Sequence, residues 1–180
     1  AMARAAVGDD VLGEDPTVNR LQDMAADMLG KPAALFMASG VMGNLVAILT
    51  HLQPGQDVIC DAHSHVNTHM TGGVAAVAGV TTNPIAATPG GWFTADAVKA
   101  AAHCEDEHLT RSRLVSIENT NNAAGGTVWT PQQVADAAAV CRELGMKLHM
   151  DGARLFNAAV AQGIDARDPV EHCDSVMFCV

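Results

Sequence analysis

Four short polar stretches carry residue types able to do chemistry: Asp151-Gly152-Ala153-Arg154, Ser39-Gly40, the histidines 63, 65 and 69, and Glu118–Asn122. In the first, a carboxylate held at a strand end can keep a ring nitrogen protonated by pairing with it. An arginine three residues on offers a planar fork for a substrate carboxylate. The same spacing also occurs as a plain structural ion pair, and the motif alone does not separate the two. Ser39-Gly40, opening a helix, can hold a phosphate, because helix N-terminal N–H groups point outward and glycine lets an anion approach. An ordinary tight turn is the competing reading. The glycine spacing fits neither the P-loop nor the G-x-G-x-x-G fingerprint, which disfavours ATP and dinucleotides.

His63, His65 and His69 stand two and four residues apart after an apolar run. With Asp151 they could form a divalent-metal site of the hydrolase kind. Alternatively one imidazole works on a ligand while the others lie on the surface or cap a helix. The Glu118–Asn122 run, with Gly125-Gly126 behind it, reads as a loop above a sheet whose asparagines orient a ligand or cap turns.

The elements that must position these groups alternate between helical stripes and short apolar runs. Asp15-Pro16 caps a helix whose stripe is Val18, Leu21, Met24, Met28 and Leu29. Helices are also expected over 41–52, more weakly over 71–78, from Thr94 to about His103, from Thr130 to Leu144, and over 153–161. Thr130-Pro131-Gln132-Gln133 is a capping box. Strands are expected at 33–37, 57–60, 114–118, 147–150 and 175–180, each continuously apolar as when both faces are covered, and 80–86 reads as extended. This is an α/β pattern with a mainly parallel sheet flanked by helices. In such a sheet ligands bind beyond the carboxyl ends of the strands, where the four polar stretches fall.

Composition narrows the class. The 180 residues carry 10 Lys plus Arg against 20 Asp plus Glu, a net charge of −10, which argues against nucleic acid as a partner. No apolar run approaches the ~20 residues of a membrane span. The five cysteines are scattered without a C-x-x-C pair, so neither disulfides nor a thiolate zinc site is expected, and a reducing cytoplasm is. Both ends read as cut, and the 180 residues are expected to be one partial domain of a longer protein.

Taken in order, these pieces resemble the low-specificity L-threonine aldolases of the β-eliminating lyase group, within the fold-type I pyridoxal-phosphate enzymes. The matching stretches are Gly8-Asp9-Asp10, Gly13 to Asn19, Ser39-Gly40 with Met42-Gly43-Asn44, Ser64-His65, Glu118-Asn119-Thr120, Asn122, Gly125-Gly126, His149 with Asp151 to Arg154, and Asp174 to Cys179. The resemblance implies the cofactor-binding large domain of an enzyme that splits β-hydroxy-α-amino acids, typically threonine to glycine and acetaldehyde. It implies pyridoxal 5′-phosphate as cofactor, with Ser39, Gly40 and Val41 at the phosphate, His65 stacked on the ring and serving as base, and Asp151 on the ring nitrogen. Arg154 and Asn121 would contact the amino acid substrate. A homo-oligomer, a dimer of dimers, is implied by resemblance only.

The sequence departs from that pattern at three places. Val41 stands where the family commonly has Thr, Asn121 where it has His, and Leu12 where Tyr is usual. The family continues after the strand matching 175–180 with a Ser-Lys pair whose Lys forms the Schiff base, and none of Lys31, Lys99 or Lys147 is placed to replace it. The 180 residues alone are therefore expected to be inactive, and their edge strand to make them aggregation-prone. The alternatives to the aldolase reading are a metal-dependent hydrolase using His63, His65 and Asp151, and a non-catalytic remnant.

Overall fold

A computed structural model describes residues 4–103 and 106–180. The chain divides into two compact units, Ala1–Ala38 and Ser39–Val180.

In the first unit, helix α1 (Pro16–Leu29) starts where expected and ends at Gly30 in the left-handed conformation. Asp15 sets its start: one carboxylate oxygen accepts the N–H groups of Thr17 and Val18, and the other that of Gly8. These backbone donors, Val18 foremost, hold its carboxyl below the usual range. Residues 33–37, expected as a strand, form none. Leu35 and Phe36 are exposed, and the Phe36 N–H donates to the Gln22 side chain and to no neighbouring strand. A short apolar run without a pairing partner has nothing to make it a strand.

The second unit is built on five parallel strands, β1 (Gln56–Asp61), β2 (Thr81–Ile85), β3 (Arg111–Glu118), β4 (Lys147–Gly152) and β5 (Ser175–Phe178), in the order β2-β1-β3-β4-β5. The strand missing from 33–37 is replaced by β2, within the segment 80–86 whose pattern indicates only an extended chain. Its Thr-Thr-Asn-Pro-Ile sequence lacks a continuous apolar run because it lies at the sheet edge, where Pro84 needs no ladder partner for its nitrogen.

Helix α2 (Gly40–His51) precedes the sheet, and α3 (His65–Thr68) with α4 (Gly73–Ala78) connects β1 to β2. On this face Ile48 and Leu52 pack with Val58, Val66, Met70, Val74, Val80 and Leu114. Helices α5 (Ala95–Ala101) and α6 (Pro131–Glu143) pack together, α5 also against β2 and α6 against β4, and α7 (Leu155–Gln162) connects β4 to β5. The expected capping box at Thr130 is present, its hydroxyl and the Gln133 side chain reciprocally bonded to backbone. Trp129 is buried edge-to-face on Phe93, ring centroids 4.9 Å apart. The α/β architecture with a parallel sheet flanked by helices is thus as the sequence indicates, with one strand exchanged. Among the described residues no helix is long and apolar enough to cross a membrane.

Candidate active site at the carboxyl edge of the sheet

Strand order reverses between β1 and β3, and the carboxyl ends of the strands around that switch point each carry an acid: Asp61 on β1, Glu118 on β3 and Asp151 on β4. All three are buried. Their surroundings differ, and so do the things they can do.

Asp151 is held by donors. Asn44 Nδ2 donates to its Oδ2 at 2.6 Å and the Ala153 N–H to its Oδ1 at 3.2 Å. Burial pushes its carboxyl up. The bond from Asn44 and the Ala153 N–H oppose that shift, the Glu118 charge adds to it, and His65 opposes it. Gly152 lets β4 lie close to β5: a Cβ there would come 2.8 Å from the Met177 carbonyl oxygen.

Glu118 organises the neighbouring loop. One oxygen accepts the His65 N–H at 2.8 Å and the other the Asn122 N–H at 3.0 Å. The first turn of α3 is thereby tied to the end of β3, and the His65 ring is aimed at Asp151, Nδ1 to Oδ2 at 3.7 Å. That Nδ1 is buried and has no hydrogen-bond partner among the described residues. A buried polar atom left open beside a carboxylate is where a ligand's polar group would be accommodated. The His69 ring lies parallel to that of His65, with centroids 6.0 Å apart.

Ser39 caps α2, its Oγ accepting the Met42 N–H at 3.2 Å. The helix N-terminus therefore presents the remaining first-turn N–H groups around Gly40 and Val41, with Ser39 and Val41 exposed. Gly40 and Gly43 let this turn pass the end of β5, since Cβ atoms there would meet Met177 at 3.3 and 2.6 Å. So Ser39-Gly40 reaches the carboxyl edge, but it follows a loop, not the strand that sequence reading put before it.

The remaining sequence candidates are placed as follows. Arg154 is exposed at the start of α7 and pairs with no carboxylate among the described residues, so the simple Asp151–Arg154 ion pair does not form. Asn121 is 1% exposed and engaged within the protein. Its Nδ2 donates to Asp61 Oδ2 and the Gly91 carbonyl, and its Oδ1 accepts the Ala124 N–H. The whole 118–121 run is buried, where a loop above the sheet was expected. His63 and His65 turn to different carboxylates, His63 Nδ1 to Asp61 at 3.8 Å and His65 to Asp151. The triad His63, His65 and Asp151 is not brought together, and no group of three His, Cys, Asp or Glu among the described residues is placed to hold a metal. Lys99 and Lys147 are tied to Glu143 and Asp174, Lys147 at the amino end of β4.

Sequence reading missed the residues behind Asp151: Asn44, His149, Ser175 and His51. Periodicity puts 149 and 151 on one face of a strand and 44 and 51 on one face of a helix, but only the pairing of β4 with β5 joins these residues into one line.

A parallel doubly wound sheet with a helix N-terminus and a donor-held aspartate at its carboxyl edge is the frame of an anion-binding α/β enzyme domain. The chain belongs to the beta-eliminating lyase family, which it matches over residues 1–180. It is 41% identical over its whole length to the low specificity L-threonine aldolase of Escherichia coli (strain K12), covering 53% of that protein. It is 37% identical to the low specificity L-threonine aldolase of Saccharomyces cerevisiae, covering 46% of it. The solved structure of Leishmania major threonine aldolase superimposes with a TM-score of 0.81 at 30% identity, over 92% of this chain and 48% of that one. The chain thus spans about half the length of the relatives it matches.

Proposed function

We propose that the protein to which this chain belongs is a pyridoxal 5′-phosphate-dependent lyase that cleaves the Cα–Cβ bond of β-hydroxy-α-amino acids, threonine and allo-threonine to glycine and acetaldehyde. The observation that carries this reading is the buried Asp151 carboxylate, fixed by Asn44 beside the open Nδ1 of His65. Full-length similarity to named threonine aldolases supports the same reading.

When bound, the cofactor's protonated ring supplies an electron sink for the carbanion left at Cα. The chain's own residues supply the rest. Asp151 accepts the ring N–H and keeps that proton in place. The N–H groups at Ser39, Gly40 and Val41, with the helix dipole, receive the phosphate; Val41 contributes no hydroxyl there. The His65 imidazole would take the β-hydroxyl proton as the Cα–Cβ bond breaks, its electron pair going to Cα and Cβ becoming the aldehyde carbon. The guanidinium of Arg154 pairs with the substrate carboxylate. Asn121 shapes the substrate side through its hold on the 121–126 turn.

Subunits of such an enzyme are placed in a homo-oligomer in the cytoplasm. The buried thiols of Cys60 and Cys141 support a reducing compartment. The test is to express the full-length protein, load it with pyridoxal 5′-phosphate and assay glycine from L-threonine and L-allo-threonine. Turnover of either, abolished by Asp151→Ala, is the expected result. A protein that binds the cofactor yet releases no glycine from any β-hydroxy amino acid would overturn the reading.

A further inference from the structure

Asp151 ends a line of five polar side chains that runs away from the candidate site. Asn44 Nδ2 lies 2.6 Å from Asp151 Oδ2, and Asn44 Oδ1 lies 3.0 Å from His149 Nε2. His149 Nδ1 lies 2.9 Å from Ser175 Oγ, which lies 2.8 Å from His51 Nε2. The line follows from simple periodicities. His149 and Asp151 are alternate residues of β4, Ser175 pairs with His149 in the parallel register, and His51 stands two turns after Asn44 on α2.

Donors and acceptors in this line can be assigned from one end. An ionised carboxylate only accepts, so Asn44 turns its amide N–H to Asp151 and leaves its oxygen to accept. His149 must then donate from Nε2, and a neutral imidazole has only one proton. Its Nδ1 therefore accepts the Ser175 O–H, and Ser175 Oγ accepts the His51 Nε2–H. Every bond points toward Asp151, an arrangement in which each strengthens the next. Were Asp151 protonated on Oδ2, that O–H would donate to Asn44, the amide would turn over, and His149 would carry its proton on Nδ1. The two directions differ in whether Oδ2 carries a proton and in the tautomer of His149.

Solvent is kept from the inner part of the line, since Asn44 and His149 are 0% exposed and Asp151 is 3% exposed, while Ser175 and His51 at its outer end are half-buried. Burial and the His51 charge keep His149 neutral, against a contact with the Ser175 backbone that favours a ring proton. The charged or titratable groups facing Asp151 from other elements are Glu118 and His65, while Asp174 and Lys147 face His51. Glu118 resists a negative charge on Asp151, so a line of aligned donors is what that charge requires.

We propose that Asn44, His149 and Ser175 are positioning residues that hold Asp151 with Oδ2 as a bare acceptor and aim its carboxylate at the N–H of a cationic aromatic ring, with the Nε2–H tautomer of His149 as the mark of that bare oxygen. The ring nitrogen in this statement rests on the function proposed above; the direction of the line does not.

The test is carried out on the full-length protein with 15N-labelled histidine. Long-range 1H–15N correlation at pH 7.5 is expected to show His149 with its proton on Nε2 and a bare Nδ1. A proton on Nδ1, or on both nitrogens, overturns the proposal. Cofactor recognition is read separately, by titrating pyridoxal 5′-phosphate and its analogue with carbon in place of the ring nitrogen. Asn44→Leu, folded by circular dichroism, is expected to lose about tenfold of the preference for the ring with nitrogen, the order of one charge-assisted hydrogen bond. An unchanged preference overturns the positioning role. If the unaltered protein takes up neither compound, the functional reading fails, and the histidine spectrum still decides the direction of the line.

Discussion

Asn44 and Asp151 are 107 residues apart in sequence and 2.6 Å apart in space, amide nitrogen to carboxylate oxygen, with Asn44 fully enclosed. That contact joins the first turns of α2 to the end of β4, so the helix whose N-terminus is proposed to receive a phosphate also fixes the acid. Burying a carboxylate is costly unless donors meet it, and Asn44 and the Ala153 N–H are the donors.

The charge on Asp151, more than its shape, is therefore what the site needs. Asp151→Asn keeps the volume and removes the charge. Turnover in the full-length protein is expected to fall by about 10²-fold or more, the scale of losing a preorganised electrostatic contact. Steady-state assays with cofactor content measured alongside check this. A variant with normal turnover would remove Asp151 from the mechanism.

The proposed function gives His65 two separable duties, stacking and proton transfer. His65→Phe retains a flat ring and discards the base. Affinity for pyridoxal 5′-phosphate is expected to change less than about threefold, while kcat falls by about 10²-fold, in the range of general-base contributions. Titration of the cofactor and initial-rate kinetics on one preparation separate the two, and a parallel loss of both would assign His65 to binding alone.

Arg154 is exposed and pairs with no carboxylate among the described residues, so removing its fork breaks no structural ion pair. Arg154→Lys keeps the charge and loses bidentate geometry. The expected effect is a rise in KM for the amino acid of about tenfold with a smaller change in kcat, read from substrate saturation curves. An unaltered KM would place the substrate carboxylate elsewhere.

Much of this arrangement was legible in the sequence, and the exceptions have physical causes. The caps at Asp15 and Thr130 and the buried strands β1, β3 and β4 follow from local chemistry and patterning. Strand β5 forms where expected but is shorter, and it lies at a sheet edge with Met177 alone buried, so its apolar run does not mark cover on both faces. Residues 33–37 have the composition of a buried strand but nothing to pair with. Residues 81–85 pair at an edge that demands no apolar run. Pairing is a property of neighbours, and neither segment announces its own. The site residues at strand ends were legible because chemistry at a parallel sheet's carboxyl edge is a topological rule. The line behind Asp151 was not, because Asn44, His149 and Ser175 look unrelated until register brings 149 opposite 175. His63 illustrates the converse, a residue with ligand chemistry that the turn after β1 leaves exposed.

Acid stability follows from the same buried line. Burial brings the pKa of His149 down to about 3 from an ordinary 6.5, and His51 is shifted down as well. A histidine that resists protonation when folded but accepts a proton when unfolded makes the unfolded state bind more protons across that interval. Its stabilising contribution is thus present above pH 6.5 and is lost as pH falls from 6.5 toward 3. Denaturant unfolding of the full-length protein across this range is expected to show falling stability. His149→Gln is expected to reduce the slope by up to about one proton whatever its absolute cost. An unchanged slope would show that His149 is already protonated in the fold.

Two glycines facing Met177 make a matched pair for testing how tightly the site's edge is built. A methyl at Gly152 would stand 2.8 Å from the Met177 carbonyl oxygen, which is fixed by pairing of β4 with β5. A methyl at Gly43 would stand 2.6 Å from Met177 Cγ, an atom that gives way only by rotation about the Met177 Cα–Cβ bond. The shorter distance is therefore expected to be the cheaper one. Gly152→Ala should destabilise by about 1–3 kcal/mol as overpacking against backbone, and Gly43→Ala by less than about 1 kcal/mol after Met177 re-orients. Helix propensity reinforces the difference, since alanine inside α2 gains ~1 kcal/mol over glycine. Paired denaturation curves decide the order. If Gly43→Ala proves the more costly, Met177 is held as firmly as the strand that carries it, and the turn of α2 that presents Ser39 and Gly40 is rigidly docked on β5.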